Sequence, residues 1–352
     1  MHEISSLLLA WYDQNHRNLP WRVAPKKQTE NTRPDPYQVW LSEVMLQQTT
    51  VETVKPYFKK FLKLWPDLFS LSQASQDDIM KAWAGLGYYS RARNLKNCAC
   101  KLVQEHGGKF PQSAKILRTL PGIGDYTAAA IAAIAFNHPV AVIDGNVERV
   151  ITRLFAITSV LPKAKSEIRE KTQKIVASKR PGDFAQAVMD LGATICTPRK
   201  PACLLCPLQN LCKAAKMQAT EIFPVKTAKK ERPLKTGTAF VIFNENKQIY
   251  LEKRQNKRLL GGMTQIPNNI GTRGENGLQD APFSANWQFK GQITHIFTHF
   301  SLKLDVYCVD SIQEINLEHG WWCDTHQLAK EALPTVMKKA ISVVVPDSFK
   351  LK

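Results

Sequence analysis

Leu120-Pro121-Gly122-Ile123-Gly124-Asp125 joins two stretches that read as helix: a short one near Ser113–Thr119 and an Ala/Ile run, Ala128–Phe136. Two glycines around one isoleucine permit a tight turn and a close backbone approach. The N–H groups that open the second helix can then face an anion such as a phosphate. An ordinary helix–helix turn could carry the same residues, so the hexapeptide fixes geometry before purpose. Downstream, Val142-Ile143-Asp144-Gly145-Asn146-Val147 sets Asp144 just ahead of a further helix, where Val147, Val150, Ile151 and Leu154 form one stripe. Asp144 suits an N-cap there, and the helix N-terminus favours its charge. Upstream, Val51, Val54, Phe58, Phe61 and Leu62 recur at helical spacing, with Pro56 tolerable near a first turn or as a kink. No strand pattern precedes Pro224.

The chain has 352 residues, 44% of them apolar, which fits two domains at about 150 residues each. Phe223–Lys235, with two prolines among many cations, reads as an exposed linker. Alternating and β-branched runs follow at Thr238–Phe243, Gln248–Leu251, Ile293–Thr298 and Ser301–Val309, with loops at Gly261-Gly262 and Asn268–Gly277 and a closing helix near Leu333–Ile341. The expected division is a helical domain over 1–225, a linker over 226–235 and a smaller α+β domain over 236–352. Gln28–Arg33 reads as a surface loop. The longest apolar run, Ala128–Phe136, is too short to cross a bilayer, and no secretory signal is legible. Net charge is +18, with a basic surplus in both halves. A polyanion is the natural partner, nucleic acid before membrane. We therefore expect a cytoplasmic, nucleoid-associated monomer.

Four of the eight cysteines, Cys196, Cys203, Cys206 and Cys212, fall in one C-x6-C-x2-C-x5-C run. Four such thiolates fit a [4Fe–4S] cluster or a structural zinc, and the scatter of the rest is unlike a disulfide framework. The spacing resembles that of the endonuclease III-like, helix-hairpin-helix DNA glycosylases, which hold a [4Fe–4S] cluster this way. The hexapeptide at 120–125 then resembles the hairpin of that superfamily, with Gly122 and Gly124 on the DNA backbone. Arg199, beside Lys200 in the first cysteine loop, would offer a cation to phosphate.

Ser42-Glu43-Val44-Met45-Leu46-Gln47-Gln48-Thr49 and Gly85-Leu86-Gly87-Tyr88-Tyr89-Ser90-Arg91 narrow the resemblance to the adenine DNA glycosylases, over essentially the whole chain. That family implies base excision repair of adenine opposite 8-oxoguanine or guanine. It makes Glu43 the acid that protonates the leaving base, and burial among apolar neighbours would keep its proton available. Asp144 becomes the anion under the sugar cation in a retaining two-step displacement, with Tyr126 and Asn146 supporting the cation or its covalent adduct. Tyr126 stands where lyase-competent relatives carry lysine, and a phenol forms no Schiff base, so a monofunctional enzyme is expected. A target base must leave the stack. Gln48, Thr49, Leu86, Gly87 and Tyr88 match the residues that fill the gap and touch the opposite base. The second domain resembles a Nudix hydrolase without the Glu-rich helix that would bind magnesium, so no hydrolase activity is expected of it. Thr298-His299 after Phe297 would meet the oxidised base. The rival readings are a pyrimidine glycosylase/lyase and a non-enzymatic iron–sulfur DNA sensor.

Overall fold

The computed structural model describes residues 2–25, 33–227, 231–255, 259–270, 277–312 and 320–349. The expected loops at Gln28–Arg33 and Asn268–Gly277 lie largely outside these. The chain divides into two compact units, Met1–Gln73 with Asn94–Lys229, and Ala74–Arg93 with Lys230–Lys352. The segment 74–93, expected in the first domain, thus groups with the C-terminal residues.

The first unit is helical: α1 (His2–Asn15), α2 (Pro36–Leu46), α3 (Val51–Leu64) and α4 (Leu68–Gln73). α5 (Gln76–Trp83) belongs to the second unit, and α6 (Ser90–His106) begins there and continues into the first. The first unit resumes with α7 (Ala114–Leu117), α8 (Asp125–Ile134), α9 (Gly145–Phe155), α10 (Lys165–Ile175), α11 (Pro181–Thr194) and α12 (Lys213–Lys216). The expected stripe of α3 buries Val54, Phe58 and Phe61, and Pro56 sits inside the helix beyond its first turn. α8 is buried from Thr127 to Ile134. Its alanines let α2, α7 and α11 approach closely, so a small-residue helix becomes the hub of the unit. α9 ends where Ala156 turns left-handed, φ 52°. Among the described residues, strand-like pairing before the second unit is confined to one bridge between Leu161 and Lys226.

The second unit carries a sheet of β1 (Leu234–Asn244), β2 (Ile249–Lys253), β3 (Thr264–Gln265), β4 (Gln288–Ile296), β5 (Ser301–Ile312) and β6 (Gly320–Cys323). The order is β3-β2-β1-β5-β4, with β6 on β2, and β1 and β5 run parallel. α13 (Thr335–Val344) closes one face, where Val336, Met337, Ala340 and Ile341 join Val241, Leu251, Leu304 and Val306 in the core. β1 starts at Leu234, inside the expected linker, because Leu234 and Lys235 pair with Ser301 and Leu302 of β5. Phe223, at the other end of that stretch, is buried. Segment 74–93 is fastened to this unit by an ion pair between Asp77 and Lys253, by Arg93 donating to the Gly261 carbonyl, and by a Tyr88–Thr298 hydroxyl contact at 2.6 Å.

Candidate active site and cysteine cluster

α2 starts abruptly. Asp35 Oδ1 accepts from the Tyr37 N–H at 2.9 Å, and Pro36 occupies the first helical position. Nearly every residue after that is buried, with no polar face left for Glu43. Glu43 is therefore carried into the interior, 6% exposed. The Tyr126 hydroxyl, one residue into α8, donates to Glu43 Oε2 at 2.5 Å. Burial foremost, with the Asp144 charge, pushes the Glu43 carboxyl up to about 7 against the opposing pull of the Tyr126 hydrogen bond and Arg22. Burial and the neighbouring Glu43 hold the Tyr126 phenol far above its usual range.

Asp144 caps α9. Its Oδ1 accepts from the Val147 N–H at 2.7 Å and its Oδ2 from Asn146 Nδ2 at 2.8 Å. The cap and the anion are thus one group, half-buried and fixed at both oxygens. Tyr126, expected with Asn146 at the sugar cation or its adduct, lines the same cavity as Asp144 and Asn146 and bonds Glu43 through its hydroxyl. Gly192 of α11 explains how Asn146 keeps its place. A Cβ there would stand 2.7 Å from Asn146 Cβ. We expect Gly192→Ala to lower stability by about 1–3 kcal/mol, read as a drop in Tm, because the two helices must part.

Glu43, Tyr126, Asp144 and Asn146 line one cavity of about 370 Å³, within the usual range for small-molecule sites. Its wall also holds Arg22 and Gln186, donors and acceptors suited to the edge of a base. Sequence reading missed a buried ion cluster in this wall. Asp190, fully buried, takes Arg17 Nε at 2.6 Å and Arg22 Nη1 at 2.7 Å. The available signal was an aspartate inside the apolar run Phe184–Leu191, where an unpaired charge would be very costly.

The hairpin takes the expected form. Ser113 caps a helix limited to Ala114–Leu117, and Gly122 adopts φ +75°. A Cβ on Gly122 would also meet Asn94 Cβ at 2.6 Å. Gly124 begins α8 with no side-chain cap. Gln48, exposed, has φ 58°, and it and the half-buried Thr49 line the cavity mouth between α2 and α3. In the second unit, Tyr88 is 44% exposed, but Leu86 is 5% exposed. Leu86 is a core residue and not the exposed wedge expected of it: its side chain packs inward and leaves Tyr88 to project. Gly87 adopts φ +71°. Phe297 stacks on Phe300, ring centres 4.6 Å apart, and its N–H donates to the Phe300 carbonyl. Thr298 and His299 are thus the exposed tip of the β4–β5 hairpin rather than a strand end.

The four cysteines are free and half-buried. Cys203 and Cys206 bracket one helical turn, and Cys212 precedes α12. Arg199 is exposed on the intervening loop. Burial lifts the Cys206 thiol to about 12, and the other three sulfurs add to the rise. Four ionised thiols in this space need metal charge among them. Arg153, 1% exposed, donates to Cys196 Sγ at 3.4 Å and to the Thr197 and Pro198 carbonyls. Arg149 links the Cys196 carbonyl, at 2.8 Å, to Asn146 Oδ1, at 2.9 Å. One helix therefore spans from the Asp144 carboxylate to the thiol loop.

Comparison with known proteins agrees with this architecture. Residues 41–178 match the HhH-GPD superfamily base excision DNA repair proteins, 196–212 the iron–sulfur binding domain of endonuclease III, and 238–343 the NUDIX domain. The cofactor of the four cysteines is accordingly an iron–sulfur cluster. The chain is 34% identical to the adenine DNA glycosylase of Rattus norvegicus, over 96% of this chain and 77% of that protein. It is equally identical to that of Buchnera aphidicola subsp. Schizaphis graminum, over 97% and 99%. A thermostable thymine-DNA glycosylase structure aligns with TM-score 0.53 and 29% identity, over 61% of this chain and 95% of that one. A non-covalent endonuclease III–DNA complex aligns with TM-score 0.50 and 21% identity, over 61% and 94%, a likeness of fold.

Proposed function

Because the chain belongs to the adenine DNA glycosylase family, we propose that it excises adenine facing 8-oxoguanine or guanine in duplex DNA, as a monofunctional enzyme working as a monomer. The observation that carries this reading is the cavity shared by a buried Glu43 and a doubly hydrogen-bonded Asp144. The extruded adenine enters that cavity. Tyr126 donates to Oε2, which leaves Oε1 of Glu43 to carry the acidic proton. Transfer of that proton to adenine N7 lets the base leave neutral as the C1′–N9 bond breaks. Asp144, both oxygens held, faces the positive charge that develops on the sugar. Glu43, now ionised, takes a proton from the water that adds to C1′ and is restored. Among the described residues that line the cavity there is no lysine, which supports water and not an amine as the final nucleophile.

The four cysteines hold a [4Fe–4S] cluster in this reading; when bound, it braces the Cys196–Cys212 loop, with Arg199 presented to phosphate. Gly122 and Gly124 approach the DNA backbone, Gln48, Thr49, Gly87 and Tyr88 occupy the space around the vacated stack, and Thr298 and His299 read the opposite base.

The test is adenine release from duplexes that differ only in the base opposite adenine, scored by alkaline strand scission. Release opposite 8-oxoguanine and guanine, with no adduct trapped by borohydride, is the expected result. A trapped adduct on a thymine-glycol duplex, with adenine left in place, would assign the pyrimidine glycosylase/lyase instead. A pH dependence follows from Glu43. The acid must hold its proton before cleavage, so the single-turnover rate should stay level up to about pH 7. Above that it should fall about tenfold per pH unit.

A further inference from the structure

The turn between α5 and α6 packs three left-handed residues into four positions: Gly85 at φ 110°, Gly87 at φ 71° and Tyr88 at φ 46°. Glycine tolerates such angles, but tyrosine pays for them. A turn of this kind persists where its surroundings over-determine it. Arg91, in the first turn of α6, supplies much of that. It is 8% exposed, and its Nη2 donates to the Leu86 and Gly87 carbonyls, each at 3.0 Å. Trp83 Nε1 donates to the same Gly87 carbonyl at 3.2 Å. The guanidinium carbon lies 5.2 Å from the centre of the Trp83 ring and 5.6 Å from that of Tyr88. One cation is thus bonded to the backbone that precedes Tyr88 and seated against the Tyr88 ring itself.

We propose that Arg91 is a positioning residue for base extrusion: it sets Tyr88 in its projecting posture before DNA arrives, so that the turn need not reorganise as the stack opens. This rests on the glycosylase reading above, in which Tyr88 fills space left by the extruded base. The planar guanidinium is what the task needs. It offers both hydrogens of Nη2 to two carbonyls while its flat, delocalised face lies against two rings, a stacking that a point-charge ammonium cannot reproduce. On the far side, the Thr298 contact holds the Tyr88 hydroxyl. Arg91 therefore fixes the base of the projection, and the hairpin tip fixes its end.

Two substrates separate positioning from general damage. The first is a duplex with adenine paired opposite 8-oxoguanine. The second places adenine opposite a tetrahydrofuran abasic analogue, where no base pair has to open. Arg91→Ala should slow single-turnover release from the paired duplex by about tenfold, and stay within about twofold of the parent on the unpaired one. In a Glu43→Gln background, 2-aminopurine in place of adenine should brighten about tenfold more slowly with Arg91→Ala than without it. Arg91→Lys should fail to restore either rate, and carries the same test if the alanine variant does not fold. Equal losses on both duplexes, or parental rates on the paired one, would overturn the proposal. If the parent released no adenine from any duplex, the glycosylase reading would fall, while the 2-aminopurine comparison would still judge Arg91.

Discussion

Glu43→Gln should abolish excision while leaving DNA binding intact, with a loss of about a thousandfold or more in single-turnover rate. The amide keeps the shape of the side chain, and its carbonyl can still accept from Tyr126, but it has no proton to give to a purine nitrogen. The same substitution should stabilise the fold under alkaline conditions. The carboxyl is raised to about 7 from a reference of 4.5, so the folded state binds the proton more tightly than the unfolded chain. Stability from this group is full below the unfolded value and is lost as pH rises through 7. Above that pH the wild type buries a charge, at a cost of up to about 3 kcal/mol by the pKa difference. Melting at pH 8 should therefore favour the glutamine variant, and melting near pH 4.5 should not distinguish the two. A variant as active as the parent would remove Glu43 from the chemistry, and a variant less stable at pH 8 would show that the side chain is not buried in ionised form.

Asp144→Asn separates the two duties of one side chain. Asparagine caps helices as well as aspartate does, so Tm should change by no more than a few degrees. The charge that faces the sugar is gone, and the rate should fall by about a hundred- to a thousandfold. A simple capping role for Asp144 would give the opposite result, unchanged catalysis. The measurement is a melting curve beside a single-turnover assay on the same preparation.

How much of this could be read beforehand depended on how local each signal was. The cysteine run and the 120–125 turn are contiguous, and both stand as the residues suggested. Glu43 stood out through the resemblance of Ser42–Thr49 to a family signature; its apolar neighbours alone left an exposed helix glutamate equally open. Leu86 was misjudged because a Gly-Leu-Gly turn looks exposed in one dimension; the left-handed angles on either side swing the leucine inward and the tyrosine outward. Two short strands, β3 and β6, carry too few residues for an alternating pattern to register. The cluster of Asp190 with Arg17 and Arg22 joins groups 173 and 168 positions apart, a distance no periodicity spans. The attachment of 74–93 to the C-terminal unit runs through single contacts at Asp77, Lys81, Tyr88 and Arg93, whose partners lie 168 or more positions away and follow no periodicity.

If one carboxylate both begins a helix and faces the reacting sugar, as proposed, alleles of this gene divide into two kinds. A change that destroys the cap is cleared with the misfolded chain, and the lesion stays open to other repair. Under that proposal, a change that spares the cap and removes the charge yields a well-made decoy, able to sit on its DNA substrate and shield it. Damage of the second kind would escape any screen based on protein abundance, and would be worse for the genome than having no protein at all.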